Sequence, residues 1–245
     1  MSLSNLEAKL PLKSYKAIIL AGGKGTRLYP VTKEIPKPLL PIKKKPIINY
    51  LVDLFRTHGI RDIGVSISKE FQEDFDWWKK RHYPEQPIEF FIETEPMGTF
   101  GGLWYAKEWL GHAPFFLTNG DELKEIDLTR MADFHEKMNP LGTIALVEVP
   151  NPQDYGVAVC NSDFIEEFLE KPEHPPSNYI SSGLYLLSPE IFAHHPGPQF
   201  TMIEKDIFPN LAKQKKIAGF KFRGKWTDAG TWERYERALQ EWGEY

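Results

Sequence analysis

The chain predicts an α/β fold of three layers, with helices on both faces of a mostly parallel sheet. Three observations carry that expectation. Short apolar, β-branched runs alternate with helical-period segments from residue 15 to about residue 120. The first run, "YKAIIL", stops abruptly at Ala21-Gly22-Gly23, as a buried parallel strand does where it enters a functional loop. Beyond about residue 121 strand-like runs dominate, so the second half is expected to be more mixed.

"YKAIIL" (15–20) is the first strand. "PIINYLVDLFRTHGI" (46–60) places apolar residues at helical spacing, with Pro46 suited to a helix start and Gly59 to its stop. "DIGVSIS" reads as a strand, "QEDFDWWKKRHY" as a helix, and "IEFFIET" as a third strand. "GTFGGLWYAKEWLG" reads as one helix and "PFFLTNGD" as a fourth strand ending in a polar turn. "LTRMADFHEKMN" is a further helix, followed by the strands "GTIALVEV", "GVAVC", "FIEEFLEK" and "SSGLYLLS". "FTMIEKDIFPNLAKQKK" reads as helical, "IAGFKFRG" as a strand, and "GTWERYERALQEW" as the closing helix. No linker composition separates the halves, so one domain with two lobes is expected.

The 245 residues are 41% hydrophobic and 26% charged, ordinary for a chain that buries a sizeable core. A formal charge of −4 gives no global basicity for binding nucleic acid. No stretch has the roughly 20 apolar residues of a membrane span, and residues 1–14 read as a solvated leader without a targeting message. The one cysteine, Cys160, excludes an internal disulfide and a cysteine metal cage. Its setting in "GVAVC" reads as a small buried strand residue, which suits a reducing, cytoplasmic compartment. "IKKK" (42–45) is expected as a solvated hairpin, His194-His195 as surface, and Trp77, Trp78 and Trp104 as packing residues.

The most informative stretch is "LAGGKGTRLYPVTKEIPKPLLPI" (20–42). It fails the dinucleotide fingerprint, because Leu28 stands where a third glycine or alanine is needed. It fails the P-loop pattern too, because Lys24 is followed by Gly25. Its chemistry is nevertheless that of an anion grip. Gly22, Gly23 and Gly25 let the backbone approach a ligand and present N–H groups to it. Arg27 can fork onto phosphate oxygens, and Lys37, held between two prolines, adds a point charge.

With these residues in view, the sequence resembles the sugar-1-phosphate nucleotidylyltransferases, whose signature is close to LAGGxGTRLxPxTxxxPKPLxPI. The resemblance continues through "EPMGTFGG" (95–102), "TNGDE" (118–122), "YGVAV" (155–159), "EKPEHPPSNYISSGLYLLS" (170–188) and "GKWTDAGTWERYERA" (224–238). Six motifs in order cover about residues 15 to 240. It implies a Rossmann-like, GT-A-like nucleotidyltransferase fold. Residues 15–120 would form a nucleotide-binding lobe, 121–230 a sugar-phosphate lobe and 231–245 a C-terminal helix. Ala229 departs from the usual Ile or Val beside the last motif's aspartate and is expected to loosen packing there. No attached left-handed β-helix or acetyltransferase domain is expected within these residues.

The reaction so implied is NTP plus sugar-1-phosphate giving NDP-sugar plus pyrophosphate. A sugar phosphate has a second pKa near ~6 and is largely dianionic at neutral pH, so it needs no general base. The step needs in-line positioning of two mutually repelling anions and charge relief at the α-phosphate. The resemblance assigns Arg27 and Lys37 to that clamp and Leu20, Ala21, Gly22, Gly23, Gly25 and Gly98 to the nucleotide. It assigns Asp121 and Asp228 to Mg²⁺, which commonly takes only one or two protein carboxylates. Tyr155, Gly156, Glu170, Lys171 and Asn178 are assigned to the sugar phosphate. Glu93, with Glu95 nearby, stands where thymidine- or uridine-nucleotide relatives commonly carry glutamine. An ionised carboxylate accepts only, which suits the N1–H and N2–H₂ donors of guanine. GTP with mannose- or heptose-1-phosphate is therefore favoured, with thymidylyl, uridylyl or cytidylyl transfer to glucose-1-phosphate as the alternative. A non-catalytic nucleotide-sensing paralogue is a further reading, though such chains commonly lose part of the clamp. The resemblance also allows a homo-oligomer.

Overall fold

The structure, a computed structural model, describes residues 12–195 and 197–243. Its strands are β1 (Lys16–Leu20), β2 (Pro41–Ile42), β3 (Lys45–Pro46), β4 (Asp62–Ser68), β5 (Ile88–Glu93), β6 (Phe115–Asn119) and β7 (Glu122–Lys124). β8 (Gly142–Glu148), β9 (Gly156–Asn161), β10 (Phe164–Glu170), β11 (Tyr179–Leu187), β12 (Ile217–Lys221) and β13 (Trp226–Asp228) follow. The α-helices are α1 (Ile47–Thr57), α2 (Gln72–His82), α3 (Gly98–Gly101), α4 (Lys107–Leu110), α5 (Leu128–Met138), α6 (Phe208–Lys213) and α7 (Trp232–Glu241).

Nine strands form one sheet in the order β5-β4-β1-β6-β11-β8-β12-β10-β9. β5, β4, β1 and β6 run parallel. β11 is antiparallel to both β6 and β8, and the β9–β10 hairpin closes the far edge. The expected passage from a parallel first half to a mixed second half is therefore observed. Along β1, Ala17 and Ile19 join one core layer and Ile18 the other, the alternation a sheet covered on both faces demands. α1 buries Ile48, Leu51, Val52 and Phe55 against the first layer. Full burial of each such side chain contributes about 1.5–3 kcal/mol.

Several local expectations are corrected. Of residues 1–14, positions 1–11 lie outside the described residues. Leu12 packs on the core and so belongs to the domain rather than to a leader. "GTFGGLWYAKEWLG" is not one helix but α3, a 3-10 segment (Gly102–Ala106) and α4. Glycine has weak helix propensity, and here it is kept for close approach. A Cβ at Gly101 would lie 2.1 Å from the Gln199 carbonyl oxygen. "FTMIEKDIFPNLAKQKK" is extended at first, then makes a π-turn at Ile203–Ile207 before α6. Trp78 is buried, but Trp77 is 62% exposed with Arg81 over its ring. His195 is half-buried against Phe100 and hydrogen-bonded to Thr201, so it is not a free surface group. Cys160 is half-buried, and burial pushes its thiol pKa up, which suits a packing residue. The β2–β3 hairpin carries Lys43 and Lys44 in left-handed conformation, as a solvated turn. Among the described residues no helix is long and apolar enough to cross a membrane.

α5 illustrates how a buried polar group is accommodated. Asp127 caps its start through Thr129 and Arg130 N–H, and Asn139 in left-handed conformation ends it. Its His135 is buried, with Nδ1 2.8 Å from Thr143 Oγ1 and Nε2 3.3 Å from Ser188 Oγ. Burial lowers its pKa to about 4, below the ordinary imidazole value near ~6.5. A depressed folded pKa contributes stability that is present above ~6.5 and is lost as pH falls toward 4. The wild-type chain is therefore expected to lose on the order of 2 kcal/mol relative to His135→Gln between pH 7 and pH 5. Chemical denaturation of both proteins at the two pH values measures this, because every other titrating group is common to both. Equal pH slopes would contradict a neutral buried His135.

Candidate functional site

The site begins where the sheet order reverses. From β1 the chain builds outward through β4 and β5, then returns to the other side of β1 at β6. The loops leaving β1 and β6 therefore diverge, and a crevice opens at the carboxyl ends of these strands. Leu20 and Asn119, the last residues of β1 and β6, are register partners there. The crevice widens into a cleft of about 470 Å³.

The glycine-rich loop forms one wall. Ala21 N–H donates to the Ser66 carbonyl at 2.7 Å, and Gly120 N–H donates to the Leu20 carbonyl at 2.9 Å, tying this loop to both neighbouring strands. Leu20, Ala21, Gly22, Gly23, Lys24 and Arg27 all line the cleft. Gly25 is not among the lining residues. It turns the loop with φ +61°, and its carbonyl accepts the Thr32 hydroxyl at 2.8 Å. The left-handed turn itself favours glycine there.

A small ribbon supplies the second wall. β13 pairs antiparallel with β7, setting Asp228 opposite Glu122, and Ala229 N–H donates to the Asp121 carbonyl at 2.9 Å. This pairing brings the two expected metal aspartates to the same end of the ribbon. Ala229 is buried with Leu28, Leu40 and Tyr235, so the departure at this position leaves a packed environment.

Both aspartates face cations. Lys37 Nζ donates to Asp121 Oδ2 at 2.5 Å, across 84 positions of sequence. Burial alone would raise the Asp121 pKa; the charge and hydrogen bond of Lys37 outweigh it and hold it low. Asp228 Oδ1 accepts Gly230 N–H at 2.7 Å, and Oδ2 accepts the Tyr155 hydroxyl at 2.9 Å. Arg234 Nη1 lies 3.4 and 3.5 Å from the two Asp228 oxygens, while Nη2 donates to Asp154 at 2.6 Å. Two carboxylate oxygen donors at one end of a ribbon, with Lys37 engaging a single oxygen of Asp121, suit a hard divalent cation. Among the described residues no cluster of three or more His, Cys, Asp or Glu forms a larger cage.

The residues expected on the sugar side come from the β9–β10 hairpin and the positions flanking it. Gly156 pairs with Glu170, and Lys171 N–H donates to the Tyr155 carbonyl at 3.0 Å. Lys171 has φ +50°, a strained conformation for a side-chain-bearing residue. Its Nζ lies 3.5 Å from Glu170 Oε1 and the side chain is 53% exposed, so it is available to an incoming anion. Tyr155, Gly156, Glu170 and Lys171 all line the cleft. Asn178 does not: it is exposed, and its carbonyl instead accepts Val149 N–H.

Glu93 lines the opposite end and is only 8% exposed. Oε1 accepts the Ser66 hydroxyl at 2.5 Å and Oε2 accepts Met97 N–H at 3.2 Å, which fixes the carboxylate's orientation. Gly102 makes room for it, since a Cβ there would sit 2.5 Å from Oε1. Gly98 also lines this end, while Glu95 is exposed and lies outside the cleft.

Sequence reasoning missed other lining groups. Glu122 is buried behind Asp121, where Oε1 accepts Asn119 Nδ2 at 2.8 Å and Oε2 accepts Trp226 Nε1 at 2.9 Å. Burial and the charge of Asp121 push its pKa up to about 7, against the pull of buried Lys124. Glu204, on the π-turn, accepts from Thr99 at 2.6 Å and from the Tyr185 hydroxyl at 3.2 Å, and burial raises its pKa. Glu122 follows directly on the "NGD" motif and could have been found there; nothing in "FTMIEKDIF" marks Glu204 as a cleft residue.

The nucleotidyl transferase family model matches residues 16–244. The chain is 38% identical over 222 residues to a mannose-1-phosphate guanyltransferase of Schizosaccharomyces pombe, and 36% identical to that of Saccharomyces cerevisiae. Each match takes in 88% of this chain and 61% of the relative, so the chain spans about three fifths of the length of these relatives. Among solved structures, a Bacillus anthracis protein to which glucose-1-phosphate thymidylyltransferase activity is ascribed superposes with a TM-score of 0.84 at 28% identity. That match covers 93% of this chain and 94% of the other. HddC from Yersinia pseudotuberculosis, complexed with GMP-PN, gives 0.79 at 28% identity over 92% of this chain and 98% of HddC. Fold, cleft and sequence agree: the chain belongs to the nucleotidyl transferase family.

Proposed function

We propose that the chain transfers a nucleotidyl group from GTP to mannose-1-phosphate, releasing pyrophosphate. The observation that carries this reading is the convergence of Arg27, Lys37, Asp121, Lys171 and Asp228, from widely separated segments, on one cleft. Such an arrangement suits a reaction between two anions, because it supplies fixed charge and orientation. A sugar-phosphate oxygen attacks the α-phosphorus, the bond from that phosphorus to the bridging oxygen breaks, and pyrophosphate leaves with the bond's electron pair.

The glycine-rich loop amides face the triphosphate, and Arg27 and Lys37 offset charge on the transferring phosphate. Lys171 binds the sugar phosphate, and Glu170 accepts from sugar hydroxyls beside Gly156. The orientation of Glu93, held by Ser66 and Met97 with its oxygens accepting, supports guanine, as do the guanyltransferase relatives. Asp121 and Asp228 would hold Mg²⁺, which when bound relieves charge between the two phosphates. The attacking phosphate is already dianionic near neutral pH, so none of the cleft carboxylates is required as a base.

A matrix of nucleoside triphosphates against hexose-1-phosphates, read as pyrophosphate release with Mg²⁺, tests the reading. GTP with mannose-1-phosphate is expected to give the highest kcat/KM. Preference for a pyrimidine nucleotide would overturn the base assignment, and no turnover with any pair would overturn the enzyme assignment.

Two substitutions test the roles. Asp121→Asn is expected to lower kcat by at least about 10²-fold with an unchanged circular dichroism spectrum, in line with the loss of an electrostatic group at the reacting centre. Wild-type turnover in this variant would remove Asp121 from the chemistry. Lys171→Ala should raise KM for the sugar phosphate by at least about tenfold and leave that for GTP within about twofold. An effect confined to GTP would contradict its placement.

A further inference from the structure

Arg234 has no role in the chemistry described so far, yet it lines the cleft between the two halves of the proposed site. Its guanidinium is held unequally. Nη2 makes a tight ion pair to Asp154 at 2.6 Å, and the guanidinium carbon stands 4.6 Å from the Tyr155 ring centroid. Nη1, by contrast, is shared between the two oxygens of Asp228 at 3.4 and 3.5 Å, long for charge-assisted hydrogen bonds. One end is therefore anchored and the other is loosely parked.

The parking place is significant. Asp228 is one of the two carboxylates suited to a divalent cation, and a cation bound there would repel a guanidinium at this range. The neighbours of Arg234 are those of the proposed sugar-phosphate position: Tyr155 lies under it, and Lys171 N–H bonds to the Tyr155 carbonyl. Gly230 makes room for the Asp228 carboxylate, since a Cβ there would lie 2.5 Å from Oδ1, and the same point is 3.4 Å from Arg27 Nη2 and 3.6 Å from Arg234 Nη1, so both guanidinium groups border this space.

We infer that Arg234 is a sugar-phosphate-binding residue whose loosely held end lies on Asp228 and passes to the phosphate when a divalent cation takes that carboxylate. Asp154 and the Tyr155 ring hold the arm through the exchange, so the guanidinium needs only a short movement. Arg234 thereby links cation binding to sugar-phosphate binding, with the two favouring each other. This rests on the proposed nucleotidyl transfer to a sugar-1-phosphate.

The test measures two equilibria in the full chain, for wild type, Arg234→Ala and Arg234→Lys. Mn²⁺ affinity without substrates is read by electron paramagnetic resonance, and mannose-1-phosphate affinity with saturating Mg²⁺ by calorimetry. Removing the guanidinium is expected to tighten Mn²⁺ binding by a few fold and to weaken mannose-1-phosphate binding by at least about tenfold. Arg234→Lys, with a charge but no fork, is expected to recover part of the mannose-1-phosphate affinity. The opposite signs are the signature, since a residue that merely braced α7 would weaken both equilibria together. Weakening of both, or unchanged mannose-1-phosphate affinity in Arg234→Ala, overturns the inference alone. Failure of the wild-type chain to bind mannose-1-phosphate overturns the proposed function, and this inference with it.

Discussion

The Lys37–Asp121 ion pair is the contact on which the cleft depends. It joins the rigid PKPL segment that follows the glycine-rich loop to the turn after β6, and so fixes the distance between two walls that belong to different parts of the chain. It is also electrostatically economical. A carboxylate at the base of a cleft is costly unless paired, and an ammonium aimed at phosphates needs an anion to hold it before they arrive. One 2.5 Å contact meets both needs.

The same logic recurs around it. Glu122 and Lys124, alternate residues of β7, form a buried pair directly behind Asp121, with Asn119, Trp226 and Thr118 completing their hydrogen bonds. Gly183, at φ +60°, leaves the space this cluster fills; a Cβ there would lie 2.0 Å from Glu122 Oε1. Asp228 is treated likewise by Tyr155 and Gly230. Each carboxylate of the ribbon is thus oriented by neighbours, which is how a site pre-organises charge without reorganising during reaction.

The fold was legible because its signals are local and redundant. β1 is a continuous apolar run, α1 has a clean amphipathic stripe, and glycines punctuate the turns. The glycine-rich loop, the paired aspartates and the hairpin lysine were legible because each sits inside a contiguous motif. What escaped were contacts made by tertiary approach. Gly101 and Gly102 broke a helix to admit Gln199 and Glu93, and a π-turn delivered Glu204 to the cleft. Motif membership alone does not tell what Gly25 and Asn178 do in the fold, where the carbonyl of each accepts a hydrogen bond, from the Thr32 hydroxyl and from Val149 N–H. The role of Arg234 was hidden too, since only the folded chain sets it between Asp154 and Asp228.

If the cation–carboxylate pair acts as a unit, removing either member should disable the same function. The direct measurement is a double-mutant cycle on kcat with Lys37→Ala, Asp121→Asn and the double variant. Strong coupling predicts that the double variant is no slower than about the worse single variant. Losses that multiply would show that Lys37 and Asp121 act independently, and would contradict a cleft organised around their contact.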